Sequence, residues 1–458
     1  MATLVVTLIV AGTLAFGAVY PWAYLPLFAA AALIGAAGLR RGLRPTHLRF
    51  VGLAASAVCA AIAVQLLPLP PSVHETLTPR ADAVLAGRDL AFGADPARWR
   101  PLSIDPAATQ VALLAAATLG LYLVGLPALL GRDCLRSVPA RLAVFAIPLA
   151  LFGIYTREYN NGLLYGFWQP QDGGGSNQAG PFVNRNHFAG WMLMTSCVLI
   201  GWLFGLVERA SPDNRGRRGR RLSWLSSAEA NTILLTTVVV LTTATSVFWS
   251  LSRSGIIAFT TSTSIFAWLT LTRRRLDAGR RRLAVAALAI ALTAGVSWRG
   301  ADRLISWFQD NASFSGRLEA WRDGLDLIRD FPVTGTGLNT YPTAMLFYQT
   351  RNRSEFVAQA HNDYLQLVAE GGLLVTIPAA VLVLALGGAI RRNLRDARRE
   401  TRGYWIRVGA AVGMVAIGLQ EISEFSLQIP VNALLFCTLA ALALAPVSRD
   451  TITVTKDA

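Results

Sequence analysis

The chain has 458 residues, 53% of them hydrophobic and 15% charged, with a mean hydropathy of +0.44. Its apolar runs reach the roughly 20 residues needed to cross a bilayer core and recur along the whole length, which places it among multi-pass membrane proteins rather than soluble domains. The net charge of +15 would suit phosphate-backbone binding in a nucleic-acid protein, but the basic residues, all arginine except Lys456, fall between apolar runs and read as topology signals touching anionic lipid.

Twelve spans are predicted in chain order: 3–20, 22–39, 50–67, 107–130, 139–156, 187–207, 230–250, 255–272, 283–299, 372–390, 405–422 and 429–446. Each must be a helix, because lipid satisfies no backbone hydrogen bonds. The first pair is split only at Pro21-Trp22, and the seventh and eighth are also close. The first span has no basic leading region and no clear small-residue cleavage site, so it reads as a retained helix. Arginines follow every second span: Arg40, Arg41, Arg44 and Arg49; Arg132, Arg136 and Arg141; Arg215, Arg217, Arg218, Arg220 and Arg221; Arg273–Arg275 and Arg280–Arg282; and Arg391, Arg392, Arg395, Arg398, Arg399 and Arg402. These loops share one face, which the positive-inside rule makes cytoplasmic, together with both termini. The long segments 68–106, 157–186 and 300–371 fall on the outer face. The predicted fold is an all-α polytopic membrane protein, with about twelve transmembrane helices and a helical outer loop domain between helices 9 and 10. Cys59, Cys197 and Cys437 lie in spans and Cys134 in a cytoplasmic loop, which provides neither an outer disulfide nor a metal-ligand spacing.

The span interiors are nearly free of charge. Gln110 and Gln420 are the main polar interruptions, and Arg407 lies near a cytoplasmic end. Ion-coupled carriers usually need ionisable groups or broken helices at the midplane, so this scarcity argues against a transporter. Polar chemistry gathers instead at outer helix ends, in four clusters. At Phe182–Gly190, Asn184 or Asn186 can cap the sixth span and leave N–H groups free for an anion; the alternative is a plain cap with Arg185 snorkelling. The preceding Asp172-Gly173-Gly174-Gly175-Ser176 lacks the lysine of a phosphate loop and reads as a flexible connection. In Ser252-Arg253-Ser254-Gly255, Arg253 sits in an outer turn against the positive-inside trend. Its forked donors suit phosphate oxygens, of a bound anion or of a passing lipid.

The third cluster begins at Ser315, a good N-cap. Leu318, Trp321, Leu325 and Ile328 form an apolar stripe, while Asp323, Asp326 and Asp330 share a solvated face. Arg317 then falls in the first turn, where the helix dipole disfavours a cation by roughly 0.3–1 kcal/mol. An anion held jointly by Arg317 and the free N–H groups would explain that placement; a salt bridge to Glu319 or another acid is the alternative. Pro332–Gly337 reads as a tight turn. The fourth cluster holds His361, on one helical face with Leu365 and Val368, before Gly371-Gly372 closes the helix. Imidazole titrates at about pH 6.5 and can take a proton at working pH, although a lone histidine is more often structural.

In this order, the clusters resemble the O-antigen ligase and polymerase superfamily of bacterial inner membranes, over about 180–446. The family's late motif is His, then Asn, Ser or Gln, nine residues, Gly, two residues, and Gly, Thr or Tyr. Here His361-Asn362 is followed by nine residues and Gly372, and the last position departs as Val375. Arg253 resembles the family's outer Ser-Arg turn, Gly316-Arg317 its Gly-Arg helix start, and Asn184-Arg185-Asn186 its Asn-x-Asn element. Glu424–Pro430 resembles a late acidic element of some members. The resemblance implies transmembrane helices and two periplasmic loops over 1–180, a ligase-like core over 181–446 containing periplasmic loop 300–371, and a cytoplasmic tail at 447–458.

The implied activity is an inverting, metal-independent glycosyltransferase of the bacterial inner membrane, with its active site on the periplasmic side and no cofactor. It would move a glycan from undecaprenyl diphosphate to an acceptor hydroxyl. His361, Arg253 and Arg317 would be catalytic; Asn184, Arg185, Asn186, Asn362 and Glu424 would bind substrate. An O-antigen ligase acting on lipid A–core leads. A polysaccharide polymerase with a growing glycan as acceptor, a protein O-oligosaccharyltransferase and, from a different class, a membrane transporter are the alternatives.

Overall fold

The computed structural model describes residues 1–42, 46–88, 98–159, 161–170, 178–209, 227–273, 279, 281–282, 285–286, 288–289, 312–351, 353, 355–400 and 402–447. Its elements are α1 (Ala2–Leu14), α2 (Pro21–Arg40), α3 (Thr46–Val64), α4 (Pro71–Leu77), α5 (Ala81–Arg88), α6 (Pro106–Leu129), α7 (Arg132–Glu158), α8 (Arg185–Arg209), α9 (Ala228–Trp249), α10 (Arg253–Thr272), α11 (Ala312–Asp330), α12 (Tyr341–Tyr348), α13 (Asp363–Asp396), α14 (Arg402–Gln420) and α15 (Pro430–Leu444). Seven of these helices are long and apolar enough to cross a membrane, and α1, α3 and α15 are shorter apolar helices. The all-α polytopic architecture is as expected. The ninth expected span, 283–299, lies largely outside the described residues, as does the Gly-rich stretch 172–176.

Two boundaries differ from expectation. Arg132, Arg136 and Arg141 belong to the first turns of α7, and Arg391, Arg392 and Arg395 to the last turns of α13. Arginine is a good helix former, so nothing stops these helices where their apolar stretches end.

Among the candidate spans α8 is the most enclosed, with α7, α9, α10, α14 and α15 around it. An apolar helix without a polar face suits such a central position. Small residues let its backbone meet α14: an added Cβ at Gly409 would stand 2.6 Å from Cys197 O, and one at Gly201 would collide with Trp405 O. The end of the bundle that carries the arginine loops is tied by buried polar contacts. Glu208 accepts from Trp405 Nε1 and from Arg273 at 3.3 Å, and Arg407 pairs with Glu400 at 2.6 Å.

At the other end, α5, α11 and α12 form a cap with its own hydrophobic cluster, including Ala81, Val84, Ile104, Leu327, Phe331, Tyr341 and Met345. The segment between α3 and α6 is thus part of the same cap as the segment between α11 and α13. Gln65, just after α3, docks the cap to the bundle: its Nε2 donates to Thr334 O and Glu370 O, and its Oε1 accepts from Leu338 N. The turn 332–337 nests against a break in α13 at Gly372, whose φ of 53° and ψ of −164° separate two helical stretches, as the sequence predicts. Gly335, with φ +65°, lies so close to Glu370 O that no Cβ fits.

The register of α11 departs from expectation. The described helix starts at Ala312, so Ser315 lies inside it and is no N-cap, and Arg317 is beyond the first turn. The dipole argument for Arg317 therefore fails. The buried face carries Ala320, Asp323, Gly324 and Leu327, with Phe331 buried just past the helix end, whereas Leu325 is 46% exposed. Asp323 is buried, not solvated: it accepts from Thr350 and from Arg351 Nη1 at 2.5 Å.

Candidate functional site

The capped end of the bundle collects helix termini. The loop after α14, residues 421–425, runs into a 3-10 turn at Ser426–Gln428 and then α15. Side chains fasten this loop to the start of α8. Gln420 Nε2 donates to Asn186 O at 2.8 Å, and Asn432 Nδ2 donates to His187 O at 3.0 Å. Fastening to the start of α13 comes from Asp363 N donating to Glu421 O, and from Gln428 Nε2 donating to Asp363 Oδ1 at 2.7 Å.

Glu424 is the hub. Its side chain is 1% exposed, a placement that a carboxylate tolerates only with partners. Oε1 accepts from Asn186 Nδ2 at 2.7 Å and from Arg317 Nη2 at 2.6 Å. Oε2 faces His361 Nδ1 at 3.5 Å, beyond a good hydrogen bond but an ion-pair distance. Burial alone would raise the Glu424 pKa; the neighbouring His361 and Arg317, with a smaller contribution from His187, outweigh it and hold the carboxyl below its ordinary value. The Phe425 ring stands edge-on to both His361 and His187, with centroids 4.9 and 4.6 Å away.

His361 is not on a helix, contrary to the expected shared face with Leu365 and Val368. It precedes the N-cap Asn362 with φ 49°, a conformation that a non-glycine residue keeps only when its surroundings enforce it. They do so here: the preceding Ala360 accepts from Trp321 Nε1 at 2.8 Å and donates to Gln366 Oε1 at 3.0 Å. The imidazole is 33% exposed, so one edge faces the buried carboxylate while the ring remains reachable from outside. Asn362 Oδ1 caps α13 by accepting from Leu365 N at 3.0 Å, which commits its oxygen to the helix.

Asn184 caps α8 by accepting from Asn186 N at 2.8 Å, and Ser252 caps α10 by accepting from Gly255 N, with Arg253 as the first helical residue. Arg185 lies within electrostatic range of Arg157, Glu424, Arg317 and Arg253. Arg157, Arg253 and Arg317, from α7, α10 and α11, therefore lie in the neighbourhood of Arg185 at the start of α8, together with the Glu424 carboxylate. Such an arrangement favours a concentrated anion. All eight predicted site residues belong to this end of the molecule.

Sequence reasoning missed three features. Arg157, in the last turn of α7, joins the arginine group but looks in the sequence like any interfacial arginine. Phe425 entered only as part of the Glu424–Pro430 element, without a role of its own, and Glu421 fell unremarked inside the expected span 405–422, whereas the helix ends at Gln420. Glu421 is 1% exposed, and burial, reinforced by the Asp363 carboxylate, pushes it well above the usual carboxylate range. Among the described residues, no group of three or more His, Cys, Asp or Glu side chains is arranged to hold a metal ion.

Comparison with known proteins adds an independent line. Residues 238–380 match the family described as O-antigen ligase. The exopolysaccharide production protein ExoQ of Rhizobium meliloti (strain 1021) is 27% identical over 143 residues, 29% of this chain and 33% of that protein. The similarity thus spans about a third of that relative's length. The family segment contains Arg253, Arg317, His361 and Asn362, whereas Glu424 and Asn184–Asn186 are supplied from outside it.

Proposed function

We propose, from the premise that residues 238–380 are a segment of the O-antigen ligase and polymerase superfamily, that the chain transfers a glycan from undecaprenyl diphosphate to an acceptor hydroxyl at the capped end of the bundle. The observation that carries this reading is Glu424, which holds Arg317 and faces His361 from within one buried carboxylate. With Nδ1 turned to Glu424, His361 has Nε2 left for the acceptor. The acceptor oxygen attacks the anomeric carbon, its proton passes to Nε2, and the bond from that carbon to the diphosphate oxygen breaks. Glu424 stabilises the imidazolium that results. Arg253 and Arg317, with Arg185 beside them, offset the charge that gathers on the leaving diphosphate. Attack opposite the leaving group inverts the anomeric centre. In this reading the capped end is periplasmic and the arginine-rich loops are cytoplasmic, in line with the positive-inside rule.

An O-antigen ligase acting on lipid A–core is the leading assignment. A polymerase extending a polysaccharide is the second reading, favoured by the similarity to an exopolysaccharide production protein. The experiment is deletion of the gene, complemented with wild type or His361→Ala, and electrophoresis of lipopolysaccharide and secreted polysaccharide. Long chains left on the carrier lipid and absent from core indicate a ligase; single-repeat products indicate a polymerase. Full complementation by His361→Ala sinks the proposed chemistry. Solute flux into liposomes without any glycan donor would instead support a transporter.

A further inference from the structure

Away from the site, an apolar cleft of about 840 Å³ separates α13 from α14. Leu386, Ile390 and Leu394 form one wall, Val415 and Leu419 the other, and Phe436 of α15 part of the floor. The two ends of the cleft differ. One reaches Tyr364, three residues from His361; the other is lined by Arg391, Arg395 and Arg398. These arginines are spaced four and three residues apart on consecutive helical turns, so they fall on one face. Arg392, next in sequence and equally exposed, does not line the cleft. None of the three lining arginines has a side-chain hydrogen bond or ion pair among the described residues. The nearby Glu400 is engaged by Arg407 at 2.6 Å. At Gly387, on the cleft wall, nothing lies within 4 Å of where a Cβ would stand, so the space beside it is open.

We propose that this cleft is a binding site for an anionic diacyl phospholipid. Its phosphate lies against Arg391, Arg395 and Arg398, and its acyl chains run between α13 and α14 toward Tyr364. The charge pattern selects this occupant. Three cations converge at one mouth of an otherwise apolar groove, which fits an anionic headgroup on a hydrocarbon body. Both walls lead to the functional end: α13 begins two residues after His361, and α14 ends four residues before Glu424. A lipid filling the cleft therefore braces the two helices that position the His361–Glu424 pair. The binding itself does not depend on the proposed glycan transfer, so the two readings fail separately.

The test is native mass spectrometry of the full-length protein in nanodiscs or detergent, with dioleoyl phosphatidylglycerol and dioleoyl phosphatidylcholine as the two probes and an undecaprenyl phosphate arm alongside. Phosphatidylglycerol is expected to be retained and phosphatidylcholine lost. The combined Arg391→Gln, Arg395→Gln and Arg398→Gln variant should weaken phosphatidylglycerol retention by roughly 10²-fold, from the usual contribution of each basic side chain at a membrane surface. Arg392→Gln should leave it unchanged. Gly387→Trp fills the open space, so it should abolish retention without lowering the melting temperature. Equal retention of both phospholipids, an effect of Arg392→Gln as large as that of a lining arginine, or full retention in Gly387→Trp would overturn the proposal. So would undecaprenyl phosphate displacing phosphatidylglycerol from the wild-type protein, since the cleft would then belong to an isoprenoid chain.

Discussion

Replacing Glu424 with glutamine keeps the shape of the side chain and removes its charge. Glu424 makes two short bonds, to Arg317 at 2.6 Å and to Asn186 at 2.7 Å, from an almost fully buried position. Hydrogen bonds to charged groups contribute about 1.5–3 kcal/mol each, and removing one partner of a buried ion pair costs about 3–5 kcal/mol. The Arg317 side chain is 20% exposed, so water relieves part of its loss. A destabilisation of about 3 kcal/mol is therefore expected. The chemical effect should be larger, because the variant no longer offsets the positive charge that His361 gains: turnover should fall about 10²–10⁴-fold. The pH dependence has a definite sign. The Glu424 carboxyl is held below its ordinary value of 4.5, so its contribution to stability is present above pH 4.5 and is lost as pH falls through the lower folded value. Melting of the purified protein across acid pH, together with transfer from a lipid-diphosphate glycan donor, measures both effects. Wild-type turnover in Glu424→Gln, with an unchanged acid limb of the stability curve, would refute the hub assignment.

Three further outcomes are expected. Arg253→Ala and Arg317→Ala should each lower turnover by about 10²–10³-fold, and both should weaken binding of the lipid diphosphate; unchanged affinity and turnover in both would remove the anion site. Gly335→Ala should destabilise the cap by at least about 1–3 kcal/mol, since a side chain there meets Glu370 O at positive φ; an unaltered melting curve would contradict the docking described for this turn. Glu421 titrates well above 4.5 in the folded protein, so the folded state holds an extra proton above pH 4.5, and stability falls as pH rises from there toward the folded value. Glu421→Gln should flatten that slope, and identical slopes in the two proteins would show that Glu421 is not its source.

The legible parts of this molecule are those that lipid dictates. A segment surrounded by hydrocarbon must satisfy its own backbone and present apolar side chains, so span positions follow from hydropathy with little help from packing. The cap is different, because it faces both water and the bundle. The Leu318–Ile328 stripe is a sound amphipathic reading in isolation, but burial in α11 is decided by the rest of the cap: Thr350 and Arg351 engage Asp323, Leu365 and Tyr341 close over Gly324, and Leu325 is left out. His361 illustrates the same limit at single-residue scale. Its spacing to Leu365 and Val368 suits a helix, yet Asn362 captures the cap position, and Trp321 and Gln366 hold the backbone on either side of Ala360. Arg253 was visible because it falls in a turn that the charge rule, applied to the other arginine clusters, assigns to the opposite face. The convergence of the arginines was not, since it depends on which helix ends the fold brings together, with Arg317 tied directly to the glutamate loop. The central position of Glu424 thus comes from three partners 63, 107 and 238 residues distant in sequence, a separation that no local pattern encodes.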